Sequence, residues 1–273
     1  MAPSSSSSTL TSAPPTFVTA SGPTIATQNL LQQKRGPDVL DKTVTFLAKR
    51  DGIDKVLKII RYTSKLLLAG ALSNPGSELA VRLKALESSI GTSRKAYRLG
   101  KWLSDLNTIR KTPLSTRFSY LEILASGGSA TYYFVEQLTW LVKAGVIPQQ
   151  YARRFNLVSA WAEMVGYVGS IWLNALRIAA ALERERALSE ELLRRKKVGE
   201  QAYDGDSELR KEVQALQERR LLRTLAVIQD VSDSMLALND IRDGSGRFSH
   251  PALLSTCGLI SAFISFRKNW KAI

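Results

Sequence analysis

The sequence predicts an all-α, membrane-associated protein, with amphipathic helices in its N-terminal part and one or two transmembrane helices near the middle and the C-terminus. Three observations predict it. Apolar residues recur at helical spacing through most of the chain after residue 37. Two long runs without net-polar interruption, Phe155–Leu176 and Pro251–Phe266, stand out from a charged background. The basic residues gather beside an apolar stripe instead of spreading evenly.

Composition narrows the function classes. Lys and Arg outnumber Asp and Glu 38 to 24, a net charge of +14 over 273 residues. Such a chain favours an anionic partner: nucleic acid, a phospholipid surface or an acidic protein. The excess is local, because residues 34–111 hold 17 Lys/Arg against 7 Asp/Glu. Cys257 and His250 are each the only residue of their type, which leaves no disulfide, thiolate cluster or multi-histidine metal site. No phosphate-cradling glycine loop or dinucleotide fingerprint occurs, and Gly127-Gly128 is a lone pair. Cys257, inside an apolar run, reads as a small hydrophobe. No catalytic residue, no metal and no cofactor is expected; a binding or structural role is.

Five regions follow in order. Residues 1–37 are rich in Ser, Thr and Pro, with no ionisable side chain before Lys34. They cannot bury enough apolar area to offset their ordering entropy, so a disordered tail is expected, neither signal nor transit peptide. Residues 38–112 form the basic amphipathic helical region. Ile53, Val56, Leu57, Ile60 and Leu67 recur at helical spacing, with Lys55, Lys58, Arg61 and Lys65 on a neighbouring face. Asn74-Pro75-Gly76 ends that helix, and a second runs from about Glu78 to Lys111, stopping before Pro113.

Residues 113–182 form an apolar region. Its first helix has an uncharged core, Ile123–Val135, too short for a span, so a buried or interfacial helix is expected. Phe155–Leu176 is 22 residues long with Glu163 as its only charge, flanked by Arg153, Arg154 and Arg177. Length and flanks suit a transmembrane helix. Ala162, Gly166 and Ser170 form a small-xxx-small ladder that lets another helix approach closely. A buried core helix satisfies the same pattern, and Glu163 and Asn174 favour it. Residues 183–220 are a charge-balanced, solvated helical linker, broken near Gly199–Ser207. Residues 221–273 return to apolar helices. Pro251–Phe266, backed by Arg267, Lys268 and Lys271, is either a slightly short membrane anchor or a docked core helix.

The segment with the sharpest chemistry is Arg94–Lys111. On a helical wheel Leu99, Trp102, Leu103, Leu106 and Ile109 share roughly a third of the circumference. Arg94, Arg98, Lys101 and Asp105 line the other side, while Lys95 and Arg110 break the apolar face. Such a helix lies in the headgroup plane and widens one leaflet. Arg94, Lys95, Arg98 and Lys101 would then meet anionic lipid, at about 1 kcal/mol each. The competing arrangement packs the leucines into a bundle and shows the cations to water. Nucleic acid is disfavoured as a partner, because the cations sit beside a wide apolar face and two uncharged runs follow.

Two stretches carry a resemblance. FLAKRDGIDKVLKIIRYTSKLLL (Phe46–Leu68) and LESSIGTSRKAYRLGKWLSDLNTIRK (Leu86–Lys111) resemble segments of the plant branch of the peroxisomal biogenesis factor 11 (peroxin 11) family. LTWLVKAGVI (Leu138–Ile147) and LLSTCGLISAFISF are similar to later landmarks, and the likeness covers about Asp41 to Ile273. The resemblance implies a multi-pass peroxisomal membrane protein with cytosolic termini. It implies a role in peroxisome proliferation, by elongating and tubulating the membrane before fission. It also implies homo-oligomers or hetero-oligomers with family members, and work with the dynamin-related fission machinery and its adaptor. The C-terminal Lys271-Ala272-Ile273 is not the Ser-Lys-Leu matrix address, which fits a membrane protein. A peroxisomal pore for metabolites, or a basic binding module in a soluble bundle, are the alternative readings.

Overall fold

Apolar periodicity becomes helix throughout the computed structural model, which describes residues 38–70, 76–198 and 204–273. The tail up to residue 37, the Asn74-Pro75 break and the Gly199–Tyr203 break lie outside the described residues. Among the described residues there is no strand. The helices are α1 (Val39–Ala48), α2 (Arg50–Gly70), α3 (Glu78–Tyr97), α4 (Lys101–Lys111), α5 (Ser119–Lys143), α6 (Ala152–Val198), α7 (Asp204–Ile241) and α8 (Pro251–Lys271). Lys42–Ile273 form one compact unit.

Several boundaries have local causes. Ser77 caps α3, its hydroxyl accepting from the Ala80 N–H at 3.2 Å. Pro251 opens α8 at a position where its missing N–H costs nothing. The single helix expected from Glu78 to Lys111 is two: Gly100 adopts φ +74°, a left-handed conformation that only glycine takes without strain, and separates α3 from α4. The apolar run and the charged linker, expected as separate regions, instead share the 47-residue helix α6.

Ion pairs fix the direction of packing. Arg61–Glu87 and Asp54–Arg94 make α2 and α3 antiparallel. Arg177–Glu122 with the close approach of Gly128 to Gly166 does the same for α5 and α6, and Ser170–Asp230 with Arg153–Asp243 for α6 and α7. Lys58 of α2 reaches Ser261 of α8, while the Phe46 ring packs, tilted, against Phe266 and Trp270. The neighbours therefore close on themselves: α2, then α3 with α4, α5, α6, α7 and α8, which packs back on α2. Regions that are remote in sequence, 42–112 and 251–271, are partners in this ring.

The ring buries a set of charged and polar groups and leaves a broad apolar face outside. Asp54, Lys58, Arg94, Glu136, Asp233 and Ser261 are buried. Val158, Trp161, Val165, Val168 and Trp172, spaced three and four residues apart along α6, are all at least 41% exposed. A bundle folding in water does the reverse. In lipid the outer surface gains nothing by hiding, and polar groups turn inward to find partners. Among the described residues α6 is the one helix long and apolar enough to cross a membrane. In α8, Ser255, Gly258, Ser261, Ala262 and Ser265 form a small, buried stripe.

Candidate functional site

Charge is concentrated where α2, α3 and α5 meet. Asp54, 1% exposed, accepts from Arg94 Nε at 2.9 Å and from Arg98 Nε at 3.1 Å. Arg98 also donates from Nη1 to both Glu136 oxygens, at 3.2 and 3.1 Å, and to the Tyr132 hydroxyl at 3.0 Å. Burial alone would raise the Asp54 carboxyl. The charges of Arg98, Arg94 and Lys55 outweigh burial and hold it well below the aspartate range. Glu136 is likewise depressed: burial opposes ionisation, and Arg98 and Lys95 overcome it. The Arg98 guanidinium is held charged by Glu136 and Asp54 against the same cost of burial.

This placement revises the expected outward face. Arg94 and Arg98 point into the ring, because buried carboxylates on α2 and α5 stand opposite them. Lys95 also turns in, its Nζ 3.8 Å from Glu136. Lys101 is half-buried, 3.3 Å from Asp51 and above the Tyr133 ring. Of the four cations expected to meet lipid, none has its charge free of a protein partner in this fold.

The apolar half of the segment behaves differently. Leu99, Leu103 and Leu106 are 58%, 53% and 49% exposed. Trp102 and Ile109 are half-buried, and Trp102 packs edge-on against Phe134 of α5. α4 packs its backbone on α5, and Lys101 at its start reaches across to Asp51 of α2. Its leucine side is uncovered.

Beneath the clamp lies a chamber of about 390 Å³, lined by polar groups that include Lys58, Tyr132, Glu136, Glu163, Tyr167 and Asp233. Lys58 donates to Asp233 at 2.8 Å and to Ser261 at 2.6 Å, a contact made between three helices. Glu163, the isolated charge of the apolar run, accepts from Tyr167 at 2.6 Å and faces this chamber, so it is not set against hydrocarbon. The Ala162, Gly166 and Ser170 ladder is occupied within the chain. A Cβ on Gly128 would come within 2.5 Å of the Gly166 nitrogen and 2.7 Å of the Ala162 carbonyl, and Ser170 donates to Asp230 at 2.6 Å. Periodicity and run length single out neither Asp54 nor Glu136, and they give Gly128 only as half of a lone glycine pair. Glu136 closing the Ile123–Val135 run and the glycine pair within it were the available signals. Among the described residues no cluster of His, Cys, Asp and Glu could hold a metal ion.

Polar inside, apolar outside, with one helix fit to cross a bilayer: the arrangement defines an all-α membrane protein. The profile of the Peroxisomal biogenesis factor 11 family matches residues 40–270, and the chain belongs to that family. It is 40% identical over 234 residues to Peroxisomal membrane protein 11A of Arabidopsis thaliana, covering 85% of this chain and 93% of that protein. It is also 40% identical over 235 residues to Peroxisomal membrane protein 11-3 of Oryza sativa subsp. japonica, covering 86% and 90%. Peroxisomal membrane protein PMP30B of Candida boidinii is 22% identical over 254 residues, covering 86% and 95%. No solved structure matches the chain significantly. Membership places the protein at the peroxisomal membrane.

Proposed function

We propose that the protein promotes peroxisome proliferation by remodelling the membrane, with α4 as the wedge and no catalytic step. The observation that carries this reading is the exposed leucine side of α4, a helix whose backbone packs on α5 and which reaches α2 only through Lys101. Completing the burial of Leu99, Leu103 and Leu106 is worth about 3 kcal/mol in all, and in one leaflet it favours positive curvature. Arg94 and Arg98 act as positioning residues that hold the corner from which α4 departs. α6 spans the bilayer, with α8 as a second crossing. In the ring α6 and α8 run in the same direction, so two spans alone do not return the chain. Phe46 against Trp270 brings the two ends of the folded unit together, which favours both on one side of the membrane, in this reading the cytosolic side. Self-association, pairing with family members and recruitment of the dynamin-related machinery and its adaptor belong to the same reading.

The test compares wild type with Leu99→Ser/Leu103→Ser/Leu106→Ser in cells. The variant should stay carbonate-resistant in the membrane and fail to elongate peroxisomes. Unchanged elongation would refute the wedge.

A second reading is favoured by the chamber. A ring that is charged inside and apolar outside within a single chain has the makings of a passage for metabolites. Conductance of the reconstituted chain in planar bilayers, altered by Lys58→Met, would support it; a silent bilayer would remove it.

A further inference from the structure

With Arg94 and Arg98 committed to buried carboxylates, the headgroup contact expected of them has to come from elsewhere. The structure offers one place beside α4. Where α1 bends into α2, and where α3, α4 and the end of α8 converge, lies a cleft of about 460 Å³. Its cations are Lys49, Arg50 and Lys101, against the single carboxylate of Asp51. Lys49 and Arg50 are exposed, and neither pairs with a carboxylate among the described residues. Arg50 spends one donor on the Leu99 carbonyl at 2.9 Å and keeps the rest of its fork open. Tyr97 and Leu99 form the apolar lip, 41% and 58% exposed.

We propose that this cleft seats the phosphate headgroup of an anionic phospholipid. The occupant follows from what the cleft leaves unsatisfied. The cations call for an anion, and the adjoining Tyr97 and Leu99 call for hydrocarbon. A phospholipid supplies both within one molecule, with its phosphate on Arg50 and Lys49 and its acyl chains along Leu99. The Arg50–Leu99 hydrogen bond ties the cleft to the start of α4, so a seated lipid fixes the depth at which the leucines enter. This inference rests on the wedge reading and names its lipid and the residues that choose it.

The experiment reconstitutes the full chain into phosphatidylcholine bilayers containing a small fraction of spin-labelled phosphatidylglycerol or spin-labelled phosphatidylcholine. The motionally restricted fraction gives the relative association constant. Wild type should prefer phosphatidylglycerol. Lys49→Gln/Arg50→Gln should lose up to about thirtyfold of that preference, as expected for two cations at a headgroup. Circular dichroism monitors helix content, and Lys49→Glu alone is read if the double variant loses helix. Leu103→Ser/Leu106→Ser, outside the cleft, should keep the preference while losing elongation. Equal preference in wild type and the charge variants overturns the cleft. If elongation is still lost in the leucine variant, the wedge stands without it. Preference abolished by millimolar inorganic phosphate at constant ionic strength would mark a free-phosphate site and overturn the lipid assignment.

Discussion

Arg94–Arg98 and Leu99–Ile109 are consecutive in the chain and lead opposite lives in the structure. The first stretch ends α3 with its cations sunk between Asp54 and Glu136. The second, past the left-handed Gly100, presents leucines to the outside. A similar inversion recurs elsewhere in the ring, where Lys58 and Asp233 are buried while Trp161 and Trp172 of α6 lie exposed. The difference teaches which forces set each part. The interior stands on paired charge, so removing one partner is costly. The exterior stands on little within the protein itself, so it is free to be used.

Removing Asp54 should break this comparison most severely. Asp54→Ala strands the Arg94 guanidinium in the interior and leaves Arg98 with Glu136 alone of its two carboxylates, and loss of one partner from a buried pair costs about 3–5 kcal/mol. Thermal unfolding in neutral detergent, followed by circular dichroism, should show a large fall in midpoint. Replacing the clamp as a set, Asp54→Leu with Arg94→Met, should recover part of it. A midpoint unmoved by Asp54→Ala would mean that the arginines find partners elsewhere.

Gly128→Ala should come next. The new Cβ meets the Gly166 backbone at 2.5 Å, and backbone cannot step aside as a flexible side chain can. Overpacking of this kind costs about 1–3 kcal/mol. Gly127→Ala is the control one residue away, since a Cβ there meets nothing within 4 Å. Equal midpoints for the two variants would contradict the close α5–α6 crossing.

Acid gives a graded version of the first test. Asp54 and Glu136 are depressed below their ordinary values of 3.8 and 4.5. A depressed carboxylate contributes stability that is complete above its ordinary value and lost as pH falls through its native value. These two carboxylates should therefore make the unfolding midpoint fall as pH drops below about 4. Asp54→Asn should flatten that acid slope, and an unchanged slope would assign the loss to other carboxylates.

Much of this was legible before any coordinates. Phe155–Leu176 announces itself by length and flanking arginines, and α6 contains it. The leucine side of α4 follows from the helical wheel. The error lay in the opposite side. A wheel says which residues share a face, and the habit of water-soluble proteins then sends the polar face outward. In a ring lined by charge the polar face turns in, and nothing local to residues 94–101 says so. Asp54 lies 40 residues before Arg94, and Glu136 lies 38 after Arg98. Only the antiparallel return of α2 and α5 brings them together. The break at Gly100 was visible as a glycine of low helix propensity, but its left-handed backbone belongs to the corner that the clamp enforces. The ladder of Ala162, Gly166 and Ser170 was legible as a close-packing surface, while its partner, Gly128 on the preceding helix, needed the fold.

The smallest expected effect on the fold separates the two regions most sharply. Leu99→Ser/Leu103→Ser/Leu106→Ser removes side chains that are about half exposed, so each should move stability by no more than about 0.5 kcal/mol. Asp54→Ala and the leucine triple variant are thus expected to fail in opposite ways. The first should unfold early and lose every activity together. The second should melt like wild type, keep its place in the membrane and lose elongation alone. If the triple variant instead melted far below wild type, the leucines would be holding the bundle together, and the exterior of α4 would be core after all.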